Sequence, residues 1–109
     1  GVLYVGDAAQ ALVRAYDVDA AGATSAERTF VTTAATPDGL AVDAAGNLFV
    51  ATAAGVEAYA PDGRRWGMLA VPQQPSNVGF GGTDGRTLFI TARTAVYQVT
   101  LANPGLPRR

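Results

Sequence analysis

The feature that most constrains the fold is a repeat of short strand-like segments. Three copies superimpose in the sequence: VLYVGDA at 2–8, NLFVATA at 47–53 and TLFITAR at 87–93. Leu3, Leu48 and Leu88 align at spacings of 45 and 40 residues, and a second strand-like segment follows each copy. The segments are rich in β-branched and aromatic residues, and turn signals such as Asp-Gly and Gly-Asn separate them. About four strands in roughly 40 residues is typical of a β-propeller blade.

The repeat predicts an all-β fold, a single domain built as a partial β-propeller of about two and a half to three four-stranded blades. We expect residues 1–35 to form a blade that lacks its inner strand, residues 36–72 a complete blade, residues 73–103 a blade that lacks its outer strand, and residues 104–109 a tail. No segment repeats apolar residues at helical spacing over three turns, so helices are not expected. The two incomplete blades should leave unpaired sheet edges.

The composition is that of a folded domain and argues against two kinds of partner. The 109 residues are 49% hydrophobic and 16% charged, with a net charge of −1, which is typical of a globular protein. All basic residues are arginine, and only Arg64-Arg65 and Arg108-Arg109 are adjacent, so no basic stripe is present to bind nucleic acid. No apolar run is long enough to cross a membrane, and no signal-peptide pattern opens the chain. The sequence therefore predicts neither nucleic acid nor a membrane as a partner, and it leaves the compartment undetermined.

The missing residue types limit the available chemistry. The chain contains no histidine, cysteine or lysine. A Ser-His-Asp triad, a thiol nucleophile, a Schiff base and a His- or Cys-ligated zinc site are therefore excluded within these residues. Any metal would have oxygen ligands, which favours calcium, magnesium or manganese.

The segment TPDGLAV at 36–42 places an acidic residue at the start of a predicted inner strand. A charge beside a buried strand is costly unless it has a partner. Asp38 therefore either accepts backbone hydrogen bonds in a Pro-Asp-Gly turn or binds a cation at the mouth of the propeller channel. The residues alone favour the turn. A second Pro-Asp-Gly, around Asp62, lies between outer segments, where we expect only a turn.

Three further polar residues are candidates near the channel mouth. Ser76 aligns with Asp38 in the next repeat, Asn77 follows it, and Asp7 ends the first strand-like segment. The ends of inner strands form the mouth of a propeller channel, where ligands bind. Ser76, Asn77 and Asp7 are therefore candidate substrate-binding residues, with turn formation or a hydrogen-bonded loop as the alternative role for each.

The sequence resembles a known family over nearly its whole length. The resemblance is carried by TPDGLAVDAAGNLFVA, by GVEAYAPDGR and by PSNVGFGGTDGRTLFITA. These stretches are similar to those of the senescence-marker-protein/gluconolactonase/luciferin-regenerating family, the relatives of regucalcin. The resemblance implies a six-bladed propeller that uses a divalent metal on its central axis to hydrolyse lactones or related esters. Phe49, Ala45 and Ser76 depart from the family's common tryptophan, glutamate and threonine.

The same resemblance implies a role for Asp38. The aspartate of the matching Pro-Asp-Gly is a metal ligand in the family, and Asp38 is also the candidate for the base that accepts a proton from the attacking water. The other two protein ligands, a glutamate and an asparagine, belong to parts of the family's fold that this sequence does not cover. We therefore expect calcium, magnesium or manganese to bind weakly or not at all to the isolated chain, and enzyme status stays open.

Two functions follow as hypotheses. The first is a fragment of a metal-dependent lactone or ester hydrolase, with the remaining blades as its partner and a small-molecule lactone or ester as its substrate. The alternative is a non-catalytic propeller segment, a binding or assembly module that associates with a second copy of itself through its open sheet edges and closes a ring.

Overall fold

The structure, a computed structural model, describes residues 1–107. The Arg108-Arg109 pair, at the end of the predicted tail, lies outside the described residues. Within residues 1–107 the chain forms ten β-strands and no helix. Accordingly, this part of the chain contains no helix able to cross a membrane.

The strands form three consecutive antiparallel sheets. The first sheet has the order β1-β2-β3, the second β4-β5-β6-β7 and the third β10-β9-β8. The strand bounds are β1 (Val2–Asp7), β2 (Leu12–Val18), β3 (Thr24–Thr32), β4 (Pro37–Val42), β5 (Leu48–Thr52), β6 (Gly55–Tyr59), β7 (Arg65–Leu69), β8 (Asn77–Gly81), β9 (Thr87–Ala92) and β10 (Ala95–Thr100). Every pairing joins strands that are neighbours in sequence, because short hairpin turns connect them.

The strand register confirms the repeat that the sequence predicts. Leu3 lies opposite Tyr16 in the first sheet, and Leu48 lies opposite Tyr59 in the second. In the third sheet the equivalent pair is Leu88 and Val99. Strands β1, β5 and β9 therefore occupy the same place in three copies of one unit.

The sheets pack face to face through alternating residues of the middle sheet. Leu48 and Val50 of β5 join a buried cluster with Val13 and Val31 of the first sheet. On the opposite face, β5 joins a second cluster shared with the third sheet, made of Phe49, Ala51, Val56, Val78, Leu88 and Ile90. All five residues of β5 are buried, because a strand between two packed neighbours buries both faces.

This arrangement confirms the predicted all-β partial propeller. Strand β4 contacts β1 of the preceding sheet and β8 of the following sheet, so the innermost strands lie side by side. Two finer points stay predictions. One is that the first sheet is a blade without its inner strand and the third sheet a blade without its outer strand. The other is that the blades divide at residues 35, 72 and 103.

Candidate functional site

The Pro-Asp-Gly at 37–39 is part of a strand rather than a turn. Pro37 lies opposite Thr52 and Leu40 lies opposite Val50, so β4 carries one more residue than β5 between these two pairs. Asp38 and Gly39 occupy this β-bulge. A bulge bends its strand and re-aims a side chain, and bulges are frequent beside functional sites. The bulge thus gives Asp38 a direction that a regular strand would not.

Gly39 lies at a close approach between strand β4 and the start of strand β8. Its N–H donates to the carbonyl oxygen of Ser76 at 3.0 Å. A Cβ atom at position 39 would stand 2.7 Å from the Cα of Asn77 and would also collide with the Asn77 amide oxygen. Only glycine fits here, and the contact places Asp38 next to the start of β8.

The carboxylate of Asp38 is exposed and has no hydrogen-bond or ion-pair partner among residues 1–107. The second Pro-Asp-Gly differs, because Asp62 Oδ1 accepts the N–H of Arg64 at 2.9 Å and Gly63 N–H donates to Ala60 to close a turn. Gly63 has a φ of 87° there. The turn predicted at Asp62 is therefore confirmed, whereas Asp38 makes no such turn.

Asp38 lines a cleft of about 290 Å³. The cleft lies where strands β1 and β5 end and where strands β4 and β8 begin. The other lining residues are Ala8, Thr36, Pro37, Thr52, Ala53, Gln74 and Pro75. Of the described residues that line the cleft, Asp38 alone is charged. A single free carboxylate in a concave and otherwise neutral site can bind a cation or accept a proton.

Ser76 and Asn77 lie beside Asp38 but already have partners. Ser76 Oγ donates to the Thr91 carbonyl oxygen at 3.2 Å and lies 3.0 Å from Thr91 Oγ1. Asn77 Oδ1 accepts the N–H of Val78 at 2.9 Å. Both side chains are exposed. Their role as substrate-binding residues stays a prediction.

Asp7 is engaged in a local network at the end of β1. It accepts the N–H and the side-chain amide of Gln10, both at 3.1 Å, and it pairs with Arg14 at 3.2 Å. The Gln10 N–H, together with Arg14, holds the pKa of Asp7 below its usual value against the opposing effect of desolvation. Asp7 stays a predicted substrate-binding residue, and these contacts match the alternative hydrogen-bonded loop role.

The described residues do not by themselves assemble a complete metal site. Within residues 1–107 no three acidic side chains lie close enough together to hold an ion. Asp38 fits as an oxygen ligand because its carboxylate is exposed and has no partner in the part of the chain that the structure describes. Calcium takes six to eight oxygen ligands, so the remaining ligands would have to come from backbone, water or another part of the protein.

Sequence reasoning missed Glu57, a fully buried acidic residue of β6. Its alternation along β6 places it on the face that packs on the first sheet. One signal was available, since an acidic residue stands in an otherwise apolar strand, GVEAY. Burial of that carboxylate depends on contacts with a different sheet, which the local sequence does not specify.

Comparisons with known proteins agree with this architecture. Residues 1–94 match the family model of the SMP-30/Gluconolactonase/LRE-like region. A gluconolactonase from Zymomonas mobilis is 45% identical over 65 residues, which cover 58% of this chain and 18% of the relative. The X-ray structure of a candidate gluconolactonase superposes with a TM-score of 0.90 at 34% identity, over 99% of this chain and 38% of that chain.

Further solved structures are similar. A gluconolactonase from Xanthomonas campestris has a TM-score of 0.81 and 27% identity, over 96% of this chain and 34% of that chain. A calcium-binding protein, regucalcin, from Agrobacterium tumefaciens has a TM-score of 0.75 and 26% identity, over 83% of this chain and 33% of that chain. The chain thus spans a fifth to two fifths of the length of these proteins. On the match of residues 1–94 and the shared architecture, the chain belongs to the SMP-30/gluconolactonase/LRE-like family.

Proposed function

We propose that this chain is part of a divalent-metal-dependent hydrolase of lactones or related esters, and that it contributes Asp38 as one metal ligand. The observation that carries the proposal is the carboxylate of Asp38, which lies at a β-bulge, lines a cleft and has no hydrogen-bond or ion-pair partner within residues 1–107. Family membership supports the reaction class, because two similar proteins are gluconolactonases. The calcium-binding regucalcin supports a divalent metal.

The chemistry would divide between the metal and this chain's own residues. A bound divalent cation would supply Lewis-acid chemistry, polarising a lactone carbonyl and making water more acidic. Asp38 would hold the cation through a carboxylate oxygen or accept a proton from the attacking water. Ser76 and Asn77, next to the bulge, would orient the substrate through their hydroxyl and amide groups.

Paramagnetic NMR with Mn²⁺ tests the proposed ligand. In the ¹⁵N-labelled chain, Mn²⁺ should broaden the amide signals of Thr36 and residues 38–40 and those of the non-proline residues lining the cleft, with a dissociation constant weaker than about 1 mM because most ligands are absent. Asp38→Asn should abolish this broadening. Asp62→Asn is the matched control, since it changes the other Pro-Asp-Gly, and it should leave the broadening intact. Broadening that survives Asp38→Asn would contradict the proposal.

An activity assay tests the requirement for further ligands. We expect the isolated chain to hydrolyse lactones no faster than the uncatalysed reaction, with or without Ca²⁺, Mg²⁺ or Mn²⁺. We expect activity to appear when the remaining blades of a family member are supplied as a second polypeptide. Full lactonase activity from the isolated chain would show that the proposed division of ligands is wrong.

A second candidate function is assembly with another copy of the chain. The observation that favours it is the apolar surface at both ends of the sheet stack: Val2, Leu3 and Val5 are 41–48% exposed in β1, and Val96 is 67% exposed in β10. Exposed strand edges and apolar faces favour association. Light scattering across a range of concentrations tests this, and a strictly monomeric 11.1 kDa species would exclude it.

A further inference from the structure

Glu57 is a buried acidic residue that the proposed reaction does not use. Its residue exposure is 0%, and it lies on β6 where the second sheet packs on the first. A buried carboxylate is costly unless hydrogen bonds satisfy it. The identity of its donors therefore indicates what the residue does.

The partners of Glu57 connect it to the chain segment that leads to Asp38. Its Oε1 accepts the N–H of Ala34 at 2.9 Å and also accepts the hydroxyl of Tyr59. Its Oε2 has no partner among the described residues. Burial, together with the Glu57 carboxylate, raises the pKa of Tyr59, so the tyrosine remains a donor over the ordinary pH range. Ala34 belongs to residues 33–36, which connect β3 to β4 and end two residues before Asp38.

The first sheet holds the same connecting segment from its other side. Thr33 N–H donates to the Ala11 carbonyl oxygen at 3.0 Å. The Thr33 hydroxyl donates to the Ala35 carbonyl oxygen at 2.7 Å, and the Thr33 residue is 6% exposed. Pro37, which follows, is buried. The segment is therefore fixed at consecutive residues by two different sheets.

We propose that Glu57 is a positioning residue for Asp38. By accepting the Ala34 N–H, it sets the path of residues 33–36 and with it the direction in which the bulge presents the Asp38 carboxylate. This inference rests on the proposed function for what Asp38 binds, but the backbone effect can be measured independently. The competing explanation is that Glu57 only holds the two sheets together.

Three variants separate these explanations. Glu57→Met keeps the length of the side chain and removes both acceptors, whereas Glu57→Gln retains one carbonyl acceptor. Tyr59→Phe removes the other donor and leaves the Ala34 bond intact. We expect Glu57→Met to speed hydrogen exchange of the Ala34 amide by about tenfold or more relative to the strand amide of Val50. Glu57→Gln and Tyr59→Phe should change this ratio by less than about threefold.

The second measurement concerns Asp38 itself. In Glu57→Met the amide chemical shifts of Asp38 and Gly39 should move and the Mn²⁺ broadening around them should weaken several-fold, and both should be restored in Glu57→Gln. Uniformly faster exchange with unmoved Asp38 and Gly39 shifts would overturn the positioning role, as would an Ala34 amide that stays protected in Glu57→Met.

The same data distinguish failure of the two proposals. If the wild-type chain shows no Mn²⁺ effect at Asp38, the proposal that Asp38 binds a metal in the isolated chain fails. The positioning role is then decided by the shifts of Asp38 and Gly39: movement in Glu57→Met with restoration in Glu57→Gln supports it, and unchanged shifts reject it.

Discussion

Six of the seven aspartates accept hydrogen bonds from other residues, and Asp38 is the exception within residues 1–107. Four of the six bind a backbone N–H two residues ahead in a turn: Asp19, Asp43, Asp62 and Asp84. Asp7 and Asp17 pair with arginines. A short polar side chain normally satisfies itself in this way. A carboxylate without such contacts remains available for a ligand.

The difference between the two Pro-Asp-Gly sequences predicts different stability effects. Asp62→Ala should lower the free energy of unfolding by about 0.5–1.5 kcal/mol, because it removes the hydrogen bond to the Arg64 amide. Asp38→Ala should change it by less than about 0.5 kcal/mol, because no bond is lost. Urea denaturation of both variants provides the comparison. A larger loss for Asp38→Ala than for Asp62→Ala would mean that Asp38 has a structural role.

The hydrogen-bond network around Asp7 predicts that the stability of the fold decreases at acidic pH. Because the pKa of Asp7 is lowered in the fold from its ordinary value of 3.8, its stabilising contribution is complete above that value and is lost as the pH falls through the lower folded value. Asp7→Asn lacks this contribution, so the stability difference from wild type should shrink as the pH falls below about 4. A ¹³C NMR titration of the Asp7 carboxyl checks the cause, and a midpoint at or above 3.8 would contradict it.

At the scale of the strand, the sequence predicts regular features better than irregular ones. Aligned leucines, turn residues and glycines identify the hairpins, and the turn at Asp62 matches that prediction. The bulge at Asp38 could not be predicted, since Pro-Asp-Gly is equally suited to a turn. What selects the bulge is the contact between Gly39 and the start of β8. That contact joins residues of different sheets, and local sequence carries no information about it.

The close approach of the inner strands gives a test with a built-in control. Gly39→Ala should destabilise the fold by about 1–3 kcal/mol, because the added Cβ collides with Asn77 backbone and side-chain atoms. Gly79 lies in the neighbouring inner strand, and a Cβ there would meet nothing within 4 Å. Gly79→Ala should therefore be neutral or stabilise by up to about 1 kcal/mol. Equal urea midpoints for the two variants would show that β4 and β8 are not this close.

At the scale of the whole molecule, the three sheets differ in how many faces they bury. The middle strand β5 is buried on both faces, whereas in the third sheet Leu88, Ile90 and Ala92 are buried and Phe89 is 38% exposed. The number of sheets and their succession could be predicted from the repeat. The faces that are covered by a neighbouring sheet could not be predicted. The aligned leucines have similar sequence surroundings, yet Leu3 is 44% exposed and Leu48 is buried.

The exposed face of the third sheet predicts that copies of the chain associate through it. A charged side chain introduced on this face should weaken that association. In β10, Val96 is 67% exposed, and Lys at this position would place a charge in any apolar contact between copies. Val96→Lys should lower the apparent mass at high concentration, measured by light scattering. Gln98→Lys adds the same charge on the same face at a residue that is already polar, so it should have the smaller effect. Identical masses for both variants would exclude an interface at Val96.

The double attachment of residues 33–36 has a consequence for how the molecule can be divided. A chain of repeating units is usually divided at the connections between the units when two fragments that reassemble are wanted. Here the amides of Thr33 and Ala34 are held by opposite sheets, so a break at this point would release both attachments at once. Within residues 1–107, the hydrogen bonds of the exposed hairpin at Asp19–Ala23 stay inside the hairpin and do not reach another sheet. Two fragments produced by a cut in this hairpin should therefore reassemble into the native fold more readily than two fragments produced by a cut within residues 33–36.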